Sequence, residues 1–107
     1  MPTVKEIFDA MPERFNKDAA AGMNAVYQFD ITGEGGGKYY AEIKDGELTM
    51  AEGEHENPSI TLTMAAQDYV DMVEGKLNGQ MAFMTGKLKI KGDMSLAMKL
   101  NTLFKLG

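Results

Sequence analysis

The 107-residue chain contains no cysteine and no tryptophan, three prolines, one histidine and two serines. Without cysteine there is no disulfide scaffold, no thiol nucleophile and no thiolate metal site. The lone His55 leaves little room for a zinc centre or a Ser-His-Asp triad. Neither Ser59 nor Ser95 sits in a nucleophile-elbow context. Acids are plentiful, yet no pair stands among apolar residues in a way that would separate two pKa values. Positive charge is outnumbered: 11 Lys and Arg against 16 Asp and Glu give a net charge of −5 and a pI near 4.8. That balance argues against a nucleic-acid partner, whose phosphates demand a basic surface. Long apolar runs are missing as well; none approaches the roughly 18 residues that span a bilayer. Near the N-terminus, Lys5, Glu6, Asp9, Glu13 and Arg14 interrupt any apolar signal-peptide region. The expectation is a soluble cytoplasmic protein that is not an enzyme and uses no cofactor or metal.

Methionine, by contrast, is in excess, with ten copies. Six of them, Met64, Met72, Met81, Met84, Met94 and Met98, are interleaved with Phe83, Leu88 and Ile90. A flexible, polarizable thioether suits an irregular core gap or a pocket wall that must accept several apolar shapes. So many in one stretch favour the wall. Charge is also uneven: residues 1–75 hold five Lys or Arg and fifteen Asp or Glu, whereas residues 76–107 hold six Lys and only Asp93. This asymmetry fits an anionic partner for the C-terminal third, or two oppositely charged halves that attract each other. The length suits a single domain over residues 1–107, able to bury roughly 60–70% of its unfolded surface.

Residues 3–19 read as a helix: Thr3 and Glu6 form a capping box, and Val4, Ile7, Phe8, Met11, Phe15 and Ala19 share one stripe. Pro12 is expected to kink or split it. Strands follow, with Ala25, Tyr27, Phe29 and Ile31 alternating against polar neighbours, then Tyr39, Ala41 and Ile43, then Leu48 and Met50. Asp45-Gly46 suits a two-residue hairpin turn. A fourth strand carries Ile60, Leu62 and Met64. A short helix over Ala66 to Glu74 is closed by Gly75. An apolar helix or turn at Met81-Ala82-Phe83-Met84 precedes a fifth strand from Lys87 to Lys91. Asp93 caps a last helix to about Phe104, with Met94 and Met98 off the centre of its apolar stripe, beside Asn101 and Lys105.

Three motifs invite chemistry. The loop Gly33-Glu34-Gly35-Gly36-Gly37 lacks the spacing and the strand-to-helix context of a phosphate loop, because Lys38 is followed by Tyr39 and strands flank both sides. His55 lies in Glu52-Gly53-Glu54-His55-Glu56-Asn57, where a solvated loop is a better account than a metal site. Lys87, Lys89 and Lys91 share one face of a strand; they suit edge protection or, alternatively, anionic headgroups or coenzyme phosphates.

The segments Ile60-Thr61-Leu62-Thr63-Met64, Asp68-Tyr69-Val70 and Gly75-Lys76-Leu77, and above all Gly86 to Leu100, closely resemble the sterol carrier protein 2 family. The order of elements matches along nearly the whole chain. The resemblance implies an α+β fold: a five-stranded, mainly antiparallel sheet covered on one face by helices, with an apolar tunnel between. Fatty acids, fatty acyl-CoA, sterols or phospholipids are the ligands it implies. Two features depart from the family: Tyr39 or Tyr40 stands where members often have tryptophan, and the ending Phe104-Lys105-Leu106-Gly107 is not a peroxisomal tripeptide. The expected lipid wall is Ile60, Leu62, Met64, Val73, Met81, Phe83, Met84, Ile90, Met94, Ala97, Met98 and Phe104. The leading reading is a lipid carrier, monomeric or weakly dimeric, making transient contact with a membrane or a lipid enzyme. The alternatives are an accessory domain whose first helix docks on a lipid-metabolising enzyme, and a domain whose cavity is filled by its own side chains.

Overall fold

The fold is that of a computed structural model, which describes residues 2–104. Helix α1 (Val4–Arg14) begins as the capping box requires. The Glu6 amide donates to Thr3 Oγ1 at 3.1 Å and the Thr3 amide donates to Glu6 Oε1 at 2.9 Å. Val4, Ile7, Phe8 and Met11 form its buried stripe, so this face belongs to the core and is not available for docking. The helix runs through Pro12 but stops at Arg14, short of the expected Ala19. Pro12 has no amide hydrogen for the Phe8 carbonyl, and one turn without that bond is all the helix sustains. Ala19 then lies exposed in a turn while Ala20 takes a buried place.

Five strands follow: β1 (Ala25–Thr32), β2 (Gly37–Lys44), β3 (Glu47–Glu52), β4 (Ile60–Ala65) and β5 (Leu88–Gly92). They form one sheet in the order β3-β2-β1-β4-β5. Strands β1 to β3 make an antiparallel meander, β4 lies parallel to β1, and β5 is antiparallel to β4. The sheet is therefore mixed, with one parallel pair. At the β2–β3 turn Asp45 and Gly46 both have positive φ, 50° and 79°, as the tight hairpin turn demands.

Because β3 is an edge strand and β4 lies beyond β1, the chain must cross the sheet between them. Residues 53–59 make that crossing over the face opposite the helices, and Gln28 of β1 anchors it. Gln28 Nε2 donates to the Gly53 carbonyl at 3.0 Å, and its Oε1 accepts from the His55 amide at 2.9 Å. The side chain is 2% exposed, so its own end of each bond lies away from water. His55 is held in the same loop: its Nδ1 accepts from the Asn57 amide at 3.0 Å, and its ring meets Tyr40 edge-on. The imidazole shapes a turn.

Helices α2 (Ala66–Val73), α3 (Gly79–Met84) and α4 (Met94–Phe104) lie with α1 on the inner face. Asn78 caps α3, and Asp93 caps the start of α4, accepting from the Ser95 amide at 2.9 Å. Tyr27, fully buried in β1, donates its hydroxyl to the Leu96 carbonyl at 2.7 Å and so ties the sheet to α4. Burial, and then the nearby Asp93, push the Tyr27 phenol up to about 12; burial raises Tyr69 further still.

Replacing Gln28 by leucine leaves the Gly53 carbonyl and the His55 amide without their partner. Gln28→Leu should lower stability by about 1–3 kcal/mol, read as a lower urea midpoint at unchanged slope. The tyrosines predict a pH limit. The folded protein keeps Tyr27 protonated to about pH 12, whereas the unfolded chain ionises it near 10. The folded state then binds the extra proton, so the contribution of Tyr27 to stability is constant below about pH 10 and is lost as the pH rises from 10 towards 12. With no tryptophan to mask the signal, absorbance at alkaline pH should show Tyr27 and Tyr69 ionising only together with loss of circular dichroism. Ionisation of all four tyrosines in a folded protein would contradict this.

Candidate functional site

Between the inner face of β1, β4 and β5 and the helices α2, α3 and α4 lies a cavity of about 540 Å³. Its floor is the sheet: Phe29 and Ile31 of β1, Leu62 and Met64 of β4, Leu88 and Ile90 of β5. These meet because the strand register pairs Phe29 with Leu62 and Ile31 with Met64, then Leu62 with Ile90 and Met64 with Leu88. Period-two alternation turns all six to one side. Tyr69 and Met72 of α2 close one flank, and Met94, Ala97, Met98, Leu100 and Asn101 of α4 form the cover. Asn78, Gly79, Gln80 and Phe83 bring in the start and outer side of α3.

The wall is apolar except at Tyr69, Asn78, Gln80 and Asn101. The Tyr69 hydroxyl is turned away to Met11 Sδ at 3.7 Å, and Asn78 Oδ1 is occupied by the amides of Gln80 and Met81. No charged side chain among the described residues is part of the wall. The cavity opens where its lining becomes exposed, between α3 and α4: Phe83 is 43%, Met94 46% and Met98 81% exposed. The arrangement offers desolvation to an apolar chain and uncharged hydrogen-bonding groups near its entrance. Among the described residues it offers no paired acid and base.

Of the expected wall residues, Leu62, Met64, Phe83, Ile90, Met94, Ala97 and Met98 line the cavity. Ile60 shares the inner face of β4 but sits at its far end, opposite Gly92 and 1% exposed in the core. Phe104 is packed at the end of α4 against Phe15, 5.5 Å between ring centres. Val73 is half-buried against the core at the end of α2. Met81 and Met84, three residues apart on α3, point outward, 54% and 72% exposed. Phe29, Ile31, Tyr69, Met72, Leu88, Leu100 and the polar Asn78, Gln80 and Asn101 join the wall without having been expected there. Phe29 and Ile31 carried a signal in their alternation. What linear reading lacked was the parallel pairing that sets β1 beside β4.

No helix among the described residues is long and apolar enough to cross a membrane. Hydroxysteroid dehydrogenase-like protein 2 of Bos taurus is 40% identical over 101 residues, which is 94% of this chain and 24% of that protein. The chain thus spans about a quarter of the length of that relative. Among solved structures, apo sterol carrier protein 2 of Yarrowia lipolytica superposes with a TM-score of 0.69 at 27% identity, covering 92% of this chain and 84% of that one. The solution structure of palmitated SCP2L2 of Aedes aegypti gives a TM-score of 0.75 over 94% of this chain and 93% of that one; at 22% identity the likeness is one of fold. The sequence model of the SCP-2 sterol transfer family matches residues 4–105, and the chain belongs to that family.

Proposed function

We propose that the domain holds the apolar part of one lipid in the cavity between sheet and helices and carries it unchanged. The observation that supports this most directly is the 540 Å³ apolar space itself, open at one end and lined, among the described residues, by no charged side chain. That volume lies in the ordinary range for small-molecule sites. Each buried methylene contributes ~0.8 kcal/mol, so about fourteen would supply on the order of 11 kcal/mol before ordering costs. Affinity then needs no specific polar contact. Fatty acids, fatty acyl-CoA, sterols and phospholipids all satisfy it. A charged headgroup would remain at the mouth, where Asn78, Gln80 and Asn101 offer hydrogen bonds. The proposed contacts are Leu62, Met64 and Ile90 on the floor and Phe83, Met94, Ala97 and Met98 at the cover, with Met81 and Met84 at the rim. Ile60, Val73 and Phe104 support the wall from behind. Both serine hydroxyls are in structural use, Ser59 Oγ accepting from the Val26 amide and Ser95 Oγ donating to Asp93. This favours carriage over chemistry.

A second reading is favoured by the relatives' length. Where the homologous segment is a quarter of a longer protein named for a dehydrogenase, a lipid-holding domain can present its cargo to an enzyme domain.

Ala97 is half-buried on the cavity cover, so a larger side chain there occupies ligand space without disturbing the packed core. Ala97→Trp should weaken a fluorescent fatty acid about tenfold or more, by displacing several methylenes, while circular dichroism stays unchanged. Lipid mass spectrometry on an extract of the natively purified protein tests the reading itself. Absence of extractable lipid, with no saturable probe binding at micromolar concentration, would falsify it.

A further inference from the structure

We propose that the methionines of the cavity wall reduce a peroxidised acyl chain held there, each thioether taking one oxygen atom from a fatty acid hydroperoxide. The inference rests on the lipid-cargo reading and adds a chemistry to it: intact lipids are carried unchanged, and a hydroperoxide leaves as the alcohol. Among the described residues four thioethers line the cavity: Met64 on β4, Met72 on α2, and Met94 and Met98 on α4. Leucine would line an apolar pocket equally well, since the two side chains exchange at little cost. What methionine adds is a sulfur that accepts oxygen. With neither cysteine nor tryptophan in the chain, thioether sulfur is the principal reducing group of that wall.

Burial sorts these residues by the route through which an oxidant must come. Met64 is 4% and Met72 5% exposed, so a dissolved oxidant hardly reaches them from solvent. Both nevertheless line the space that holds the cargo. At Met72 the access depends on one position. Gly79 lines the cavity beside it, and a Cβ there would stand 3.5 Å from Met72 Sδ. Glycine leaves that side of the sulfur uncovered. Met94 and Met98 stand exposed at the mouth, so thioethers are distributed from the floor of the cavity to its entrance.

The step balances between thioether and peroxide. A sulfur lone pair attacks the terminal peroxide oxygen, and the S–O bond forms as the O–O bond breaks. The proton of that oxygen passes to the departing alkoxide oxygen. The products are methionine sulfoxide and a hydroxy fatty acid; sulfur is oxidised and the peroxide reduced by the same electron pair. Holding the chain in the cavity supplies the proximity that a dilute thioether and a dilute peroxide lack. Each sulfur reacts once, and a sulfoxide reductase is needed to restore it.

The full chain is treated with linoleic acid hydroperoxide, or with tert-butyl hydroperoxide at the same concentration, and each methionine is followed by peptide mass spectrometry. The second reagent carries the same reactive group without an acyl chain. Two methionines outside the wall serve as controls, Met84 exposed and Met11 fully buried. Met64 and Met72 should form sulfoxide about tenfold or more faster with the lipid hydroperoxide than with the small one. Met84 should react with both reagents and Met11 with neither. One hydroxy fatty acid should appear for each sulfoxide, and excess linoleic acid should protect Met64 and Met72. Oxidation that follows solvent exposure with both reagents, leaving Met64 and Met72 intact, overturns the proposal; saturable binding of the fluorescent fatty acid would then leave the cargo reading standing. Loss of hydroperoxide without a matching hydroxy acid overturns it as well. A chain that binds no fluorescent fatty acid overturns both.

Discussion

Phe8, carried on the buried stripe of α1, stacks on Tyr39 at 4.3 Å and on Tyr69 at 5.1 Å, and meets the edge of Phe29 at 5.0 Å. One ring thereby joins α1 to β2, to α2 and to the centre of the sheet. Offset and edge-to-face contacts of this kind add about 0.5–1.5 kcal/mol each beyond the area they bury. The rest of the inner face depends on that junction. Phe29 and Tyr69 are shared with the cavity wall, so the cluster that seats α1 also forms the closed end of the apolar space. Beside that cluster on the same face, Tyr27, whose ring lies 6.5 Å from that of Phe29, performs a similar service by holding the Leu96 carbonyl of α4. The helical layer is pinned at two places and spans the interval between them.

Small residues on the cover, beside the larger Leu100, help to leave part of that interval open. Ala82 is the buried residue of α3, and Gly79 and Ala97 line the space directly. A close-packed interior would need larger side chains at these positions. The exposed large residues of the same helices, the methionines and Phe83, are placed around the opening. Their flexibility suits a rim that meets ligands of differing shape. The opposite face of the sheet shows the contrary solution: the crossing loop is fastened to it by Gln28, whose amide finds partners for its buried bonds.

Much of this was legible in linear order. Thr3 and Glu6 announced the start of α1, Asp45-Gly46 the β2–β3 turn, and Asp93 the start of α4, because each signal acts between residues at most a few positions apart. The inward sides of the strands were legible for the same reason, since alternation is a local property of extended chain. Pro12 was recognisable as a disturbance, but whether it kinks, splits or ends a helix depends on what the next residues find to pack against. Phe15 finds Phe104, at the far end of the chain, and leaves the helix to do so. The role of Gln28 in fastening the crossing loop was invisible, because its partners in that loop lie 25 and 27 residues away and are backbone groups.

The candidate site divides along the same line. Residue type and period, by themselves, determined that Leu62, Met64 and Ile90 face inward and that methionines gather in the last third. The family resemblance carried by Gly86 to Leu100 set the fold class. The tertiary structure alone decided that β1 lies parallel beside β4, which brings Phe29 and Ile31 to the floor. It also decided that α3 turns Ala82 inward and Met81 and Met84 outward, which leaves those two methionines exposed and outside the lining of the cavity. Periodicity states which residues share a side of an element. Which side finds a neighbour, and which is left to solvent, is set by contacts between elements far apart in the chain.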